Sequence, residues 1–176
     1  VPEGEGAMLA VMGLNNNELN SLMNEFNKKT GICEIANDNS PGQIIVSGNK
    51  KTLADFSNVL KIKKKRSIFL PVSAPFHCTL MKPAAENMKL FLQKIEFQKP
   101  SLKLISNVTA MPMEKEDGIK DLLYKQIFSP VRWRESVEYM IKNDINDFIE
   151  IGPGKVLSGL VKRTNDKVLA RSINKI

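Results

Sequence analysis

The stretch LPVSAPFHCTLMK, residues 70–82, carries the only histidine in a chain of 176 residues. An apolar, strand-like run from Ile68 to Val72 delivers the backbone to it, and an apolar stripe at helical spacing follows. His77 is therefore expected at a strand-to-helix junction, where α/β proteins often place working residues. Pro75 fixes the backbone two residues earlier and restricts where the ring can point. Histidine is the side chain whose ordinary pKa lies nearest neutrality, so a proton shuttle working at neutral pH would sit here. The structural alternative is a half-buried histidine whose ring nitrogens bond to the backbone. Both readings stand at this point.

On the N-terminal side the pattern reads strand, helix, strand, twice over. Ala7 to Leu14 is a short apolar run, and Asn15 or Asn16 can cap a following helix. Leu19, Leu22, Met23 and Phe26 recur at i, i+3, i+4 and i+7, one buried helix face that ends at Thr30-Gly31. Cys33 and Ile35 alternate as in a half-buried strand. Asn39-Ser40-Pro41-Gly42 is a turn signal, and Gln43 to Ser47 is a strand. Leu53, Phe56 and Leu60 line a second helix, and Ser67 to Val72 closes the set. Two such units predict a ferredoxin-like subdomain over residues 5–71.

Residues 72–176 alternate helices with short strands, as in part of an α/β sheet. Met88, Phe91, Leu92 and Ile95 mark one helix. A strand-like run from Leu102 to Ile105 leads to Asn107, and Met111 to Gly118 reads as a surface loop. Ile119, Leu122, Leu123 and Ile127 mark the next helix, stopped by Ser129-Pro130. Gln126 lies on this apolar stripe and needs polar partners there. Val137, Met140 and Ile141 mark another helix. A strand from Phe148 to Ile151 runs through Gly152-Pro153-Gly154 into a helix bearing Val156, Leu157, Leu160 and Val161. That turn could hold an anion or be a tight βα connection. Val168 to Ala170 reads as a last strand.

Apolar content of 42% and charged content of 26% are those of an ordinary globular chain. No apolar run approaches the ~20 residues that span a bilayer. The start, Val1-Pro2-Glu3-Gly4, shows no signal-peptide pattern. Cys33 and Cys78 lack metal-ligand spacing and are too few for a disulfide framework, so reduced thiols in a cytoplasmic setting are expected. Much of the formal net charge of +7 sits in Lys61 to Arg66. This run reads as a solvated helix end, as a docking surface for an acidic partner, or as a nucleic-acid contact. The last is disfavoured because the strands beside it lack stacking aromatics. A Cys78–His77 dyad is unattractive, since adjacent side chains do not normally face each other. Nothing marks Ser73 as activated, and a zinc site from Cys33, Cys78 and His77 lacks a fourth ligand.

PVSAPFHCTLMKPA (residues 71–84) resembles the histidine segment of malonyl-CoA:acyl carrier protein transacylases. Four further stretches resemble the same family in the same order: VPEGEGAMLAVMGL, NSPGQIIVSGNK, IFSPVRWRESVEYM and IEIGPGKVLSGLVKR. Together they run from Val1 to about Asn165. The family's nucleophilic serine lies in a G-H-S-x-G segment, and no G-x-S-x-G occurs here. The resemblance therefore implies the C-terminal portion of such an enzyme without its serine-bearing N-terminal half. The implied fold is the ferredoxin-like small subdomain followed by the trailing part of an α/β-hydrolase-like acyltransferase domain.

The resemblance also implies chemistry. A malonyl group would pass from coenzyme A to the phosphopantetheine thiol of an acidic acyl carrier protein, in fatty acid biosynthesis, by a ping-pong Ser/His mechanism. His77 would be the base. The backbone carbonyl at Gln126 would orient its ring, since the family usually has no carboxylate behind this histidine. Asn107 and Asn39 would line the cleft, and Lys63, Lys64 and Lys65 would dock the carrier. No cofactor, metal, nucleic acid or membrane is implied, and Arg132 and Arg134 are not expected to replace the family's malonate-binding arginine. The isolated chain is expected to be inactive. The alternative is a non-catalytic carrier-protein-binding module derived from the same fold.

Overall fold

The computed structural model describes residues 4–27, 31–113 and 118–174. The helix stop expected at Thr30 and part of the loop expected over Met111 to Gly118 lie outside them. The first half contains β1 (Gly6–Met12), α1 (Asn16–Asn27), β2 (Cys33–Ser40), β3 (Gln43–Asn49), α2 (Lys50–Ile62) and β4 (Arg66–Phe69). They form one antiparallel sheet in the order β2-β3-β1-β4.

Alternation along β1 decides which side chains meet the helices. Ala7, Leu9 and Val11 pack with Leu19 and Met23 of α1 and with Leu53, Phe56 and Leu60 of α2. Met8 and Ala10 point to the other face, where they pack with Ala36 and Ile45. α1 starts at a reciprocal cap. Asn15 Oδ1 accepts the Glu18 N–H at 3.0 Å, and Glu18 Oε2 accepts the Asn15 N–H at 2.8 Å. β4 is shorter than the expected run to Val72. It pairs with β1 only from Arg66 to Phe69, and Pro71 offers no N–H to continue the ladder.

The second half contains a 3₁₀ turn (Thr79–Met81), α3 (Lys82–Leu92), α4 (Ile119–Gln126), α5 (Trp133–Lys142), β5 (Asp147–Ile151), α6 (Val156–Thr164) and β6 (Leu169–Ile173). β5 and β6 pair in parallel, with α6 as the crossover. Val137, Val161 and Val168 form the centre of a separate small core. The expected strand from Leu102 to Ile105 is not one. Only Ile105 makes a bridge, to Pro112, and Leu102 is 82% exposed. The stripe on α3 is likewise only partly covered: Ala85 and Leu92 are buried, whereas Met88 and Phe91 are exposed.

The two halves meet along β2, an edge strand of the first sheet. Val131 lends it a short parallel partner: Val131 N–H donates to Ala36 O at 2.8 Å, and Asp38 N–H donates to Val131 O at 2.9 Å. Arg134 on α5 then reaches Asp38, with Nη2 at 2.8 Å from Oδ2, and also holds Glu138. Asp38 keeps 6% of its side-chain surface and Arg134 keeps 25%. Removing one member of a buried pair strands the other charge, which costs about 3–5 kcal/mol, whereas an apolar pair is often neutral. Because Arg134 is partly wet, Arg134→Met is expected to cost about 2–3 kcal/mol in denaturant unfolding. The double change Asp38→Leu with Arg134→Met should recover part of that loss, since it also takes from the Asn16 amide the Asp38 Oδ2 to which its Nδ2 donates at 2.6 Å. Additive single-mutant costs would show that the pair is not coupled.

Candidate active site

His77 sits between two anchors. On the upstream side, Pro75 is fully buried against Gly6 at the start of β1. A Cβ on Gly6 would lie 2.2 Å from Pro75 Cδ, so only glycine permits this approach. Cys78 Sγ donates to Pro75 O at 3.1 Å and closes the turn. On the downstream side, Glu34 of β2 accepts two bonds from Thr79, Oε2 from the backbone N–H and Oε1 from Oγ1, each at 2.8 Å. Between them His77 adopts φ +59°, a left-handed conformation that side-chain-bearing residues seldom take.

The ring completes the arrangement. Nδ1 lies 2.9 Å from the carbonyl oxygen of Gln126. A carbonyl can only accept, so Nδ1 carries the proton in this bond and Nε2 presents its lone pair. Gln126 is the last residue of α4, where the helix leaves carbonyls without intrahelical partners. Its side-chain Nε2 donates to Ser129 O at 3.5 Å, a long bond that gives the amide one partner. The chain turns at Ser129-Pro130, as the sequence predicts.

His77 opens onto a cleft of about 580 Å³ between α1, β2 and the segment from Phe128 to Arg132, with Glu34, Thr79 and Asn16 in its wall. Asn39 and Asn107, expected in that wall, are not among its lining residues. Asn39 falls at an irregularity of the β2–β3 ladder, between the Asp38–Ile44 and Ser40–Gln43 pairings, which displaces it from the regular alternation. Asn107 lies in a turn, and its carbonyl accepts the Arg132 N–H at 3.0 Å. A neighbouring recess of about 530 Å³ is lined by Asp38, Ser40, Arg134 and Glu138, and its arginine is already paired with both carboxylates.

Other expected groups fall into place by their partners. Arg132 is bound to Glu135 and to the carbonyls of Val108 and Thr109, so both arginines near the cleft are tied to the protein itself. The Gly152-Pro153-Gly154 turn needs its glycines, at φ +134° and +97°. Its helix N-terminus is filled from within: Glu150 accepts the N–H groups of Leu157 and Ser158 and the Ser158 hydroxyl. Those bonds, led by the Ser158 N–H, hold the Glu150 carboxyl below its ordinary pKa. Lys63 and Lys64 are exposed just past α2, with Lys64 at φ +56°, whereas Lys65 Nζ donates to Gly13 O at 3.1 Å. Glu34 is the residue that sequence patterning passed over. A glutamate on a half-buried strand carries no signal that its partner lies 45 positions away.

Among the described residues no set of three or more His, Cys, Asp or Glu side chains is grouped to hold a metal ion. Neither thiol is activated. Burial pushes Cys33 up to about 12 and also raises Cys78.

A model of the acyl transferase domain matches residues 2–175, and the chain belongs to that family. Within the family its relatives are malonyl CoA-acyl carrier protein transacylases. The Bacillus subtilis (strain 168) protein is 43% identical over 169 residues, 96% of this chain and 53% of that protein. The crystal structure of the Clostridium perfringens transacylase superposes with a TM-score of 0.96 at 39% identity, covering 100% of this chain and 55% of that one. A malonyl-transacylase in complex with its type II PKS acyl-carrier protein superposes with a TM-score of 0.94 at 36% identity, over 100% of this chain and 57% of that one. The chain thus spans about half the length of the relatives it matches.

The thiols give a test that needs no substrate. Iodoacetamide at pH 8 should leave Cys33 and Cys78 unmodified in the native protein and alkylate both in urea, read by peptide mass spectrometry. The unfolded Cys33 thiol ionises near its ordinary value of 9.0 and the native one only near 12. Between those values the unfolded state binds fewer protons, so stability should be full below pH 9 and fall as pH rises through that window. Native-state alkylation at pH 8 would contradict the burial argument.

Proposed function

We propose that this chain is the histidine-bearing, C-terminal portion of a malonyl-CoA:acyl carrier protein transacylase of fatty acid biosynthesis. The observation that carries the reading is the bond from His77 Nδ1 to Gln126 O, which fixes one tautomer and leaves Nε2 free to take a proton. The serine would come from a segment outside these 176 residues, since none here stands in a nucleophile motif.

The chemistry is then a two-step exchange. Serine Oγ attacks the thioester carbonyl of malonyl-CoA while Nε2 of His77 takes its proton. The tetrahedral adduct collapses, the C–S bond breaks, and the imidazolium returns the proton to the coenzyme A thiolate. In the second half the carrier's phosphopantetheine thiol gives its proton to Nε2. The thiolate attacks the serine ester, and the serine oxygen leaves with that proton. No cofactor enters these steps. His77→Ala in the complete enzyme should reduce malonyl transfer by ~10²–10⁴-fold with the far-ultraviolet spectrum unchanged. Transfer near the wild-type rate would reject His77 as the base.

The division into residues 5–71 and 72–176 is supported by the separate cores on either side of it. The order β2-β3-β1-β4, fully antiparallel, supports a ferredoxin-like reading of the first part. Exposed Ile149 and Ile151 on β5, with Leu169 and Ile173 on β6, support the view that the second part is the trailing portion of a larger sheet. Parallel strands are otherwise covered on both faces. The complete enzyme would work in the cytoplasm, where its free thiols would stay reduced; among the described residues no helix is long and apolar enough to cross a membrane.

Exposed Lys63 and Lys64, with Lys65 beside them, would meet an acidic carrier protein through electrostatic steering. Changing all three to Glu should raise the apparent KM for carrier protein several-fold and leave that for malonyl-CoA nearly unchanged. The wild-type carrier KM should also rise with salt, because exposed charges are screened within ~8–10 Å at ordinary ionic strength. A carrier KM indifferent to both changes would return the run to a solvated helix end.

A further inference from the structure

We propose that Glu34 is a positioning residue for His77. The proposal rests on His77 acting as the base, and it adds a carboxylate whose hydrogen bonds go to Thr79, two residues after His77. His77 is held in the left-handed region, at φ +59°, in the short segment from Pro75 to Thr79. A lone residue in that region keeps its conformation only when its surroundings over-determine it. Upstream the segment is fixed by the packing of Pro75 on Gly6 and by the Cys78–Pro75 bond. Downstream, it is tied to the sheet by Glu34, which grips Thr79 at both the backbone N–H and the hydroxyl.

The grip has a second effect. Thr79 is the first residue of the 3₁₀ turn, so its N–H has no partner within the turn, and a carboxylate there is a charge-assisted cap. Glu34 belongs to β2, whose backbone also bonds Val131, a few residues after Gln126. The same strand therefore sets the position of the histidine segment and of the segment carrying its carbonyl partner. Letting go of Thr79 would free one side of the Nδ1–O bond while the other stays in place.

The chemistry of the amide makes the role testable. In Glu34→Gln the new side chain can accept the Thr79 N–H through its oxygen and donate to the Thr79 hydroxyl through its nitrogen, keeping both links without the charge. Alanine keeps neither, and Thr79→Val removes only the hydroxyl link. In the complete acyltransferase, Glu34→Ala is expected to lower kcat about 10–100-fold, the range seen when supporting groups around a site are lost. The KM for malonyl-CoA should stay within about twofold, in line with loss of orientation rather than binding. Glu34→Gln should recover most of the lost rate, and Thr79→Val should fall between. Active sites are counted by single-turnover acylation, so that a misfolded fraction is not read as a slower enzyme.

The ring tautomer supplies a readout that does not depend on acyl transfer, and His77 is the only histidine. With Nδ1–H held by Gln126 O, the nitrogen-15 spectrum of the neutral ring should show one tautomer, Nδ1 protonated and Nε2 bare. In Glu34→Ala the two tautomers should mix. If His77→Ala proves active, the base reading fails, and the tautomer ratio still decides whether Glu34 positions the ring. An unmixed Nδ1–H tautomer and wild-type kcat in Glu34→Ala would overturn the proposal. Equal losses in Glu34→Gln and Glu34→Ala would overturn it as well, since the charge would then be what matters.

Discussion

The outer edge of β2 is the constraint on which the molecule depends. An edge strand presents unpaired N–H and C=O groups that must find partners or remain open to water. Here they bond Val131, and the two backbone bonds bring the second half of the chain against the first. The side chains of the same strand reinforce the junction, with Glu34 on Thr79 at one end and Asp38 on Arg134 at the other. The cleft is the space left between these attachments and α1.

The same arrangement gives His77 the two things a proton shuttle would need. A histidine needs one nitrogen fixed and one free, and a carbonyl at a helix end supplies the first without adding a charge. The neighbouring arginines are engaged with carboxylates and backbone carbonyls of the protein, so they are not offered to an anionic substrate. The thiols are kept protonated by burial and remain bystanders.

The sequence read most of the helices and strands because each has one face in a core. The i, i+3, i+4 spacing from Leu19 to Phe26, and the Leu53, Phe56 and Leu60 stripe, match residues that pack on β1. It misread Leu102 to Ile105, since a short apolar run is compatible with a strand whether or not another strand lies beside it. The resemblance, rather than local pattern, put Asn39 in the cleft wall, and local pattern carries no sign of the ladder irregularity at which that asparagine falls.

Local composition by itself determined that His77 stands where a strand gives way to a helix, that one of Asn15 and Asn16 caps α1 and that Ser129-Pro130 stops α4, while the structure chose Asn15. Each follows from forces acting within a few residues: backbone restriction by proline, capping of free N–H groups, and apolar periodicity. The family motifs added Gln126 as the partner of the ring. Tertiary structure alone decided the left-handed turn at His77, the contact of Pro75 with Gly6, and the two bonds from Thr79 to Glu34. The last two join residues dozens of positions apart, and a hydrogen bond between distant residues leaves no periodicity in either one's neighbourhood. Its partner is chosen only when folding has brought the sheet edge and the histidine segment to within hydrogen-bonding distance, 2.8 Å at the Thr79 N–H.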